Sequence, residues 1–112
     1  MNVYDTANRL AQEIKESEEY INYKMAKQAL DLNSNLKERM KEFEKMRYEV
    51  QLETMQTGKN NEEKYKKVQD LYIELVQDEE AKKFFEVETK FNILIADVNK
   101  IIGEAIRDVM QS

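Results

Sequence analysis

The sequence predicts an all-α fold, a bundle of about five helices that ends in a long C-terminal helix. Three observations carry that prediction. Proline is absent and glycine occurs only as Gly58 and Gly103, so the usual punctuation of turns and strand ends is missing. Charged residues, mostly Glu and Lys, make up 37% of the chain, and both are good helix formers. Apolar residues then recur at three- and four-residue spacing in one segment after another.

The first segment places Val3, Ala7, Leu10 and Ile14 on one stripe. Ser17 follows as an N-cap, because its hydroxyl can accept a backbone N–H, and Glu18 and Glu19 suit the positive end of a helix. The second segment runs from about Glu18 to Leu32, with its apolar positions spread widely round the helix. Asn33-Ser34-Asn35 marks the next boundary. A third helix then extends to about Thr57, where Gly58 supplies a left-handed stop. Its main stripe is Leu36, Met40, Phe43, Met46 and Val50. Asn60 and Glu63 have the spacing of a capping box for the fourth helix, which carries Tyr65, Val68, Tyr72, Leu75 and Val76.

Asp78 caps the last helix, whose apolar face continues from Phe84 through Val87, Phe91, Leu94, Ile95, Val98, Ile102, Ala105 and Ile106 to Val109. A helix from Glu79 to Met110 would be roughly 48 Å long, too long for a compact globule of this size. Either it breaks near Gly103 or it projects and is covered by a partner. The second reading is preferred, because the stripe continues past Gly103. No internal repeat or low-complexity tract is evident, and the 112 residues fit one domain, 1–112.

Composition removes most catalytic chemistry. Without cysteine there is no disulfide, thiolate metal site or thiol nucleophile, and without histidine the commonest general base and transition-metal ligand is lost. Ser17 and Ser34 sit where capping explains them, Ser112 is terminal, and no Ser-x-x-Lys pair occurs. The carboxylates alternate with Lys and Arg, as in Lys37-Glu38-Arg39 and Glu42 with Lys45, which reads as a solvated face and not as a metal site. No cofactor and no enzymatic activity are expected.

No apolar run reaches the roughly 20 residues of a membrane span. The first 20 residues lack the apolar core of a secretory signal, so the expected location is the cytoplasm. The formal net charge of −5 disfavours non-specific attraction to nucleic acid. A row of Lys37, Lys41 and Lys45 leading to Tyr48 is nonetheless the candidate for single-stranded RNA binding, the rival to protein binding.

The stronger signal is apolar surface in excess. Tyr48, Leu52 and Met55 form a second stripe on the third helix, about 120° from the first. It packs either on another helix of the chain or on a second chain. Phe85 and Ile93 lie off the main stripe of the last helix, and Ile102, Ile106 and Val109 extend that stripe beyond Gly103. These eight residues are the candidate interface, and a homodimer is the expected assembly.

The stretches NVYDTANRLAQEIKESEEY, FEKMRYEVQLETMQTGK and FFEVETKFNILIADVNKIIGEAI resemble the YlbF/YmcA family of small bacterial proteins. The best-matched pieces are Tyr4-Asp5, Ser17-Glu18-Glu19-Tyr20, Met55-Gln56 with Gly58, and Asn92-Ile93-Leu94-Ile95 with Asn99. The resemblance implies an all-α fold with a self-associating C-terminal helix. It also implies a regulatory role: members act with another regulatory protein in a ribonuclease-associated complex that influences mRNA processing, competence, sporulation and biofilm formation. Members of that complex carry cysteines tied to iron–sulfur clusters. This chain has none, which aligns it with the shorter, YheA-like branch.

Overall fold

A computed structural model describes residues 2–110, so Ser112 lies outside the described residues. Among these residues the chain is helical, without strands, in six helices: α1 Val3–Glu16, α2 Glu18–Asp31, α3 Ser34–Thr57, α4 Glu62–Leu75, α5 Glu79–Ala105 and α6 Arg107–Met110.

Polar side chains set the boundaries. Asn2 caps α1 by accepting from Tyr4 N–H at 2.8 Å. Ser17 serves two helices at once: its hydroxyl donates to Ile14 C=O at 2.6 Å and accepts from Tyr20 N–H at 3.2 Å. Asn33 accepts from Leu36 N–H, and Asp78 from Glu80 N–H, so α3 and α5 start where their cap residues stand. Gly58 ends α3 at φ 71°, a left-handed conformation that a side chain would strain.

Two boundaries differ from expectation. The cap of α4 is Asn61 and not Asn60: Asn61 Oδ1 accepts from Lys64 N–H at 3.1 Å, while Asn60 Oδ1 accepts from the Thr54 hydroxyl. Three residues beyond Asn61 stands a lysine, so the reciprocal half of the capping box is absent. A sixth helix also appears. α5 runs unbroken through Gly103 and is interrupted only at Ile106, after which α6 adds one short turn.

Two compact units divide the chain. The first comprises residues 1–26 and 85–112, and the second residues 27–84. In the second unit α3 and α4 pack on one another. The Arg39–Glu74 pair (3.7 Å) at one end and the Glu53–Lys64 pair (3.0 Å) at the other show that α4 runs back along α3. Leu36, Met40 and Phe43 from α3 are buried, as are Val68 and Leu75 from α4 and Leu30, Ala81 and Phe84. Phe43 stacks at 6.0 Å on Tyr72 and carries the Arg47 guanidinium 5.3 Å over its ring. Burial fades along α3, where Met46 and Val50 are only half-buried.

The first unit is thinner. Tyr20 and Tyr23 of α2 stack on Phe91 of α5, at 6.0 and 5.3 Å. The Tyr23 hydroxyl donates to Glu88 at 3.3 Å. Phe85 and Val87 are buried, yet α1 buries no residue at all: Leu10 and Ile14 are half-buried and Val3 and Ala7 face water.

Truncating a side chain that is wholly enclosed leaves a cavity, whereas truncating one on the surface does not. Leu75→Ala is expected to cost about 2–5 kcal/mol in urea unfolding and Met55→Ala less than about 0.5 kcal/mol.

Candidate functional site

Among the described residues, charged side chains pair with neighbours on the same helix. Lys41 pairs with Glu38 at 3.8 Å, Lys67 with Glu63 at 4.0 Å and Arg47 with Glu44, all within one helical turn on solvated faces. Among the described residues there is no group of three or more Asp, Glu, His or Cys side chains placed to hold a metal ion. Nor, among them, is any helix long and apolar enough to cross a membrane.

Glu53, near the end of α3, has a displaced pKa. The Lys64 ammonium, 3.0 Å from Oε2, and then the Asn61 amide, which donates to Oε1 at 3.3 Å, hold its carboxyl below the ordinary value. These contacts join the last turns of α3 to the start of α4 across the Gly58 turn, so the group is a structural clasp.

In the lysine row, Lys37 is half-buried, Lys41 is engaged by Glu38, and Lys45 and Tyr48 are exposed. The row therefore offers Lys45 as an exposed lysine beside its aromatic residue, with Glu42 and Glu49 also exposed on the same helix.

The apolar candidates separate into two places and one exception. On α3, Tyr48 (64% exposed), Leu52 (38%) and Met55 (82%) all reach water, Leu52 the least. On the far half of the C-terminal stripe, Ile93, Ile102, Ile106 and Val109 are exposed. Phe85 is the exception. At 7% exposure it is enclosed by its own chain and presents no surface to another, which corrects its place among the interface candidates. The reason is its position just before Val87, in the part of α5 where burial is complete enough to include side chains off the main stripe.

Sequence reasoning missed three features. Ile101 stands exposed beside Ile102, and Val3 and Tyr4 leave the start of α1 open. A groove of about 470 Å³ also runs between α3 and α4, floored by Phe43, Val50, Val68 and Tyr72 and edged by Arg47 and Ile73. The signal for the groove was present: Val50, Tyr65 and Tyr72 lie on the stripes assigned to the core, but aromatic positions there end half out of water.

With no clustered ligands among the described residues and with several apolar stripes in water, the chain is, by class, an all-α module whose prominent exposed surfaces are apolar. Its kinship agrees with that class. Residues 3–107 match the family model described as control of competence regulator ComK, YlbF/YmcA, and the chain belongs to this YlbF/YmcA family. It is 34% identical to a UPF0342 protein of Desulfitobacterium hafniense, over 98% of this chain and 89% of the relative. It is 32% identical to UPF0342 proteins of Clostridium novyi, covering 96% and 95%, and of Symbiobacterium thermophilum, covering 93% of each. No solved structure matches. The family is described by regulation, and the relatives' names state no reaction or ligand.

The Glu53 clasp has a definite pH signature. A carboxylate with a lowered pKa in the folded chain adds stability above the ordinary carboxylate range, and that stability is lost as the pH falls through the lowered value. Glu53→Gln should therefore unfold earlier than the native chain at neutral pH. In thermal melts at successively lower pH the gap between the two should close.

Proposed function

We propose that this protein is a non-catalytic regulatory module that acts by binding other macromolecules, beginning with a second copy of itself. The observation that carries the reading is the state of its apolar stripes. α1 buries nothing, and the last three turns of the C-terminal stripe are in water although the same stripe is core at Val87. Exposed Ile and Val in a contiguous row are costly to keep wet, at about 25 cal/mol per Å². Covering them is the direct way to recover that free energy.

The family description supports the regulatory half of the reading, since it concerns control of a competence regulator. A finer form, an adaptor that influences mRNA processing and developmental regulation, rests on the family resemblance of the sequence alone. Protein binding is favoured over direct RNA binding because Lys41 is already engaged by Glu38 and the chain carries a net charge of −5. The Tyr48-Leu52-Met55 stripe is the second surface of that self-contact, beside the last helix.

Light scattering at micromolar concentration should give twice the mass of one chain, and a strict monomer would overturn the reading. Ile102→Glu should weaken self-association by about tenfold or more, because it places a charge in an apolar contact. Leu52→Glu should also weaken association while leaving the helical circular dichroism intact. Collapse of the helical signal would instead mark Leu52 as core.

A further inference from the structure

A different surface, the groove between α3 and α4, is selective in charge as well as apolar. Phe43 and Val68 form its buried floor, with Val50 half-buried beside them. Tyr65 and Tyr72 stand about two turns apart on one face of α4 and are 54% and 41% exposed, so both rings are on offer. Gln51 on α3 and Gln69 on α4 bring exposed amides to the two rims. Among the lining side chains the one charge is the Arg47 guanidinium, a cation in a chain of net charge −5. The volume, about 470 Å³, falls within the roughly 300–1,000 Å³ of small-molecule sites.

Arg47 is placed to hold an anion. Its guanidinium lies 5.3 Å over the Phe43 ring, a stack that orients the fork. Its pair with Glu44 is made within α3, and Glu44 is not among the groove's lining residues. That pair uses Nη2, and a guanidinium has several further N–H donors, so capacity is left for a second acceptor. The two side chains are 39% and 41% exposed, and a pair so open to water exchanges readily. The adjoining hollow, which shares Tyr65 and Gln69, carries both Lys66 and Glu62 and so selects no sign of charge.

We propose that the groove binds a small aromatic anion, a flat ring system bearing one carboxylate. The rings lie over Val68 against Tyr65 and Tyr72, and the carboxylate sits on Arg47. Ring contacts of this kind add to the gain from apolar burial, and a carboxylate matches the geometry of the guanidinium fork. Such a ligand bridges α3 and α4 and so stabilises the second unit, which gives a regulatory module a small-molecule input. The proposal does not depend on self-association.

Naphthoate, titrated into the isotope-labelled full chain and followed by amide NMR shifts, tests this directly. The shifts should saturate and should centre on Arg47, Val50, Val68 and Gln69. Uncharged naphthylmethanol should bind about tenfold more weakly, and the cation naphthylmethylammonium more weakly still. Arg47→Gln should erase the preference for the anion over the alcohol. Tyr65→Ala should weaken naphthoate about fivefold while Tyr65→Phe keeps it, with circular dichroism showing that the helices are intact in each variant. Absence of saturable binding at millimolar naphthoate would overturn the proposal. Equal binding of the anion and the cation would overturn it too, since that is apolar adhesion alone. So would shifts centred on the exposed residues of α5 around Ile101 and Ile102. Groove shifts that follow protein concentration without any probe would mark a second copy as the occupant and likewise overturn it.

Discussion

One stripe of apolar side chains on α5 passes from protein into water, and most features of the molecule follow from how it is covered. At Val87 it is closed, and at Phe91 the rings of Tyr20 and Tyr23 give it partial cover. Beyond Val98 the described residues supply nothing further, and Ile101, Ile102, Ile106 and Val109 are exposed. Helix formation alone does not explain such a stretch. An isolated helix is marginal in water, and its stability in proteins comes from packing of the apolar face. Among the described residues, nothing covers the far half of α5.

The second unit shows the contrasting, self-sufficient case. There α4 folds back along α3, and Leu36 and Leu75 are almost wholly removed from water. The turn between the helices is fixed by three local devices: the left-handed Gly58, the Asn61 cap and the Glu53–Lys64 clasp. Each satisfies backbone or charged groups that the helix ends would otherwise leave unpaired. That unit can thus hold its surface stripe, Tyr48, Leu52 and Met55, in a fixed array without a partner.

Much of the fold was legible because it is local. A cap needs only a short polar side chain at the right place, so Ser17 and Asp78 announce themselves, as does Gly58 for a left-handed stop, whereas the cap of α3 is Asn33 and not Ser34. Where two equivalent residues compete, local logic fails: Asn60 and Asn61 both suit a cap, and the Thr54 hydroxyl engages the first. The interruption at Ile106 had no sequence mark, since neither glycine nor proline stands there. Surface candidates were less legible still. Periodicity identifies a stripe but not what lies opposite it, so Phe85, off the stripe, was read as surface and is core, whereas Val3 and Ala7, on a stripe, are exposed.

Another copy of the chain is the proposed cover for the exposed far half of α5. Amide hydrogen exchange across residues 99–109, compared between dilute and concentrated protein, addresses this directly. Protection there should rise with concentration while that of α3 around Phe43 stays constant. Rapid exchange across residues 99–109 at every concentration would contradict it.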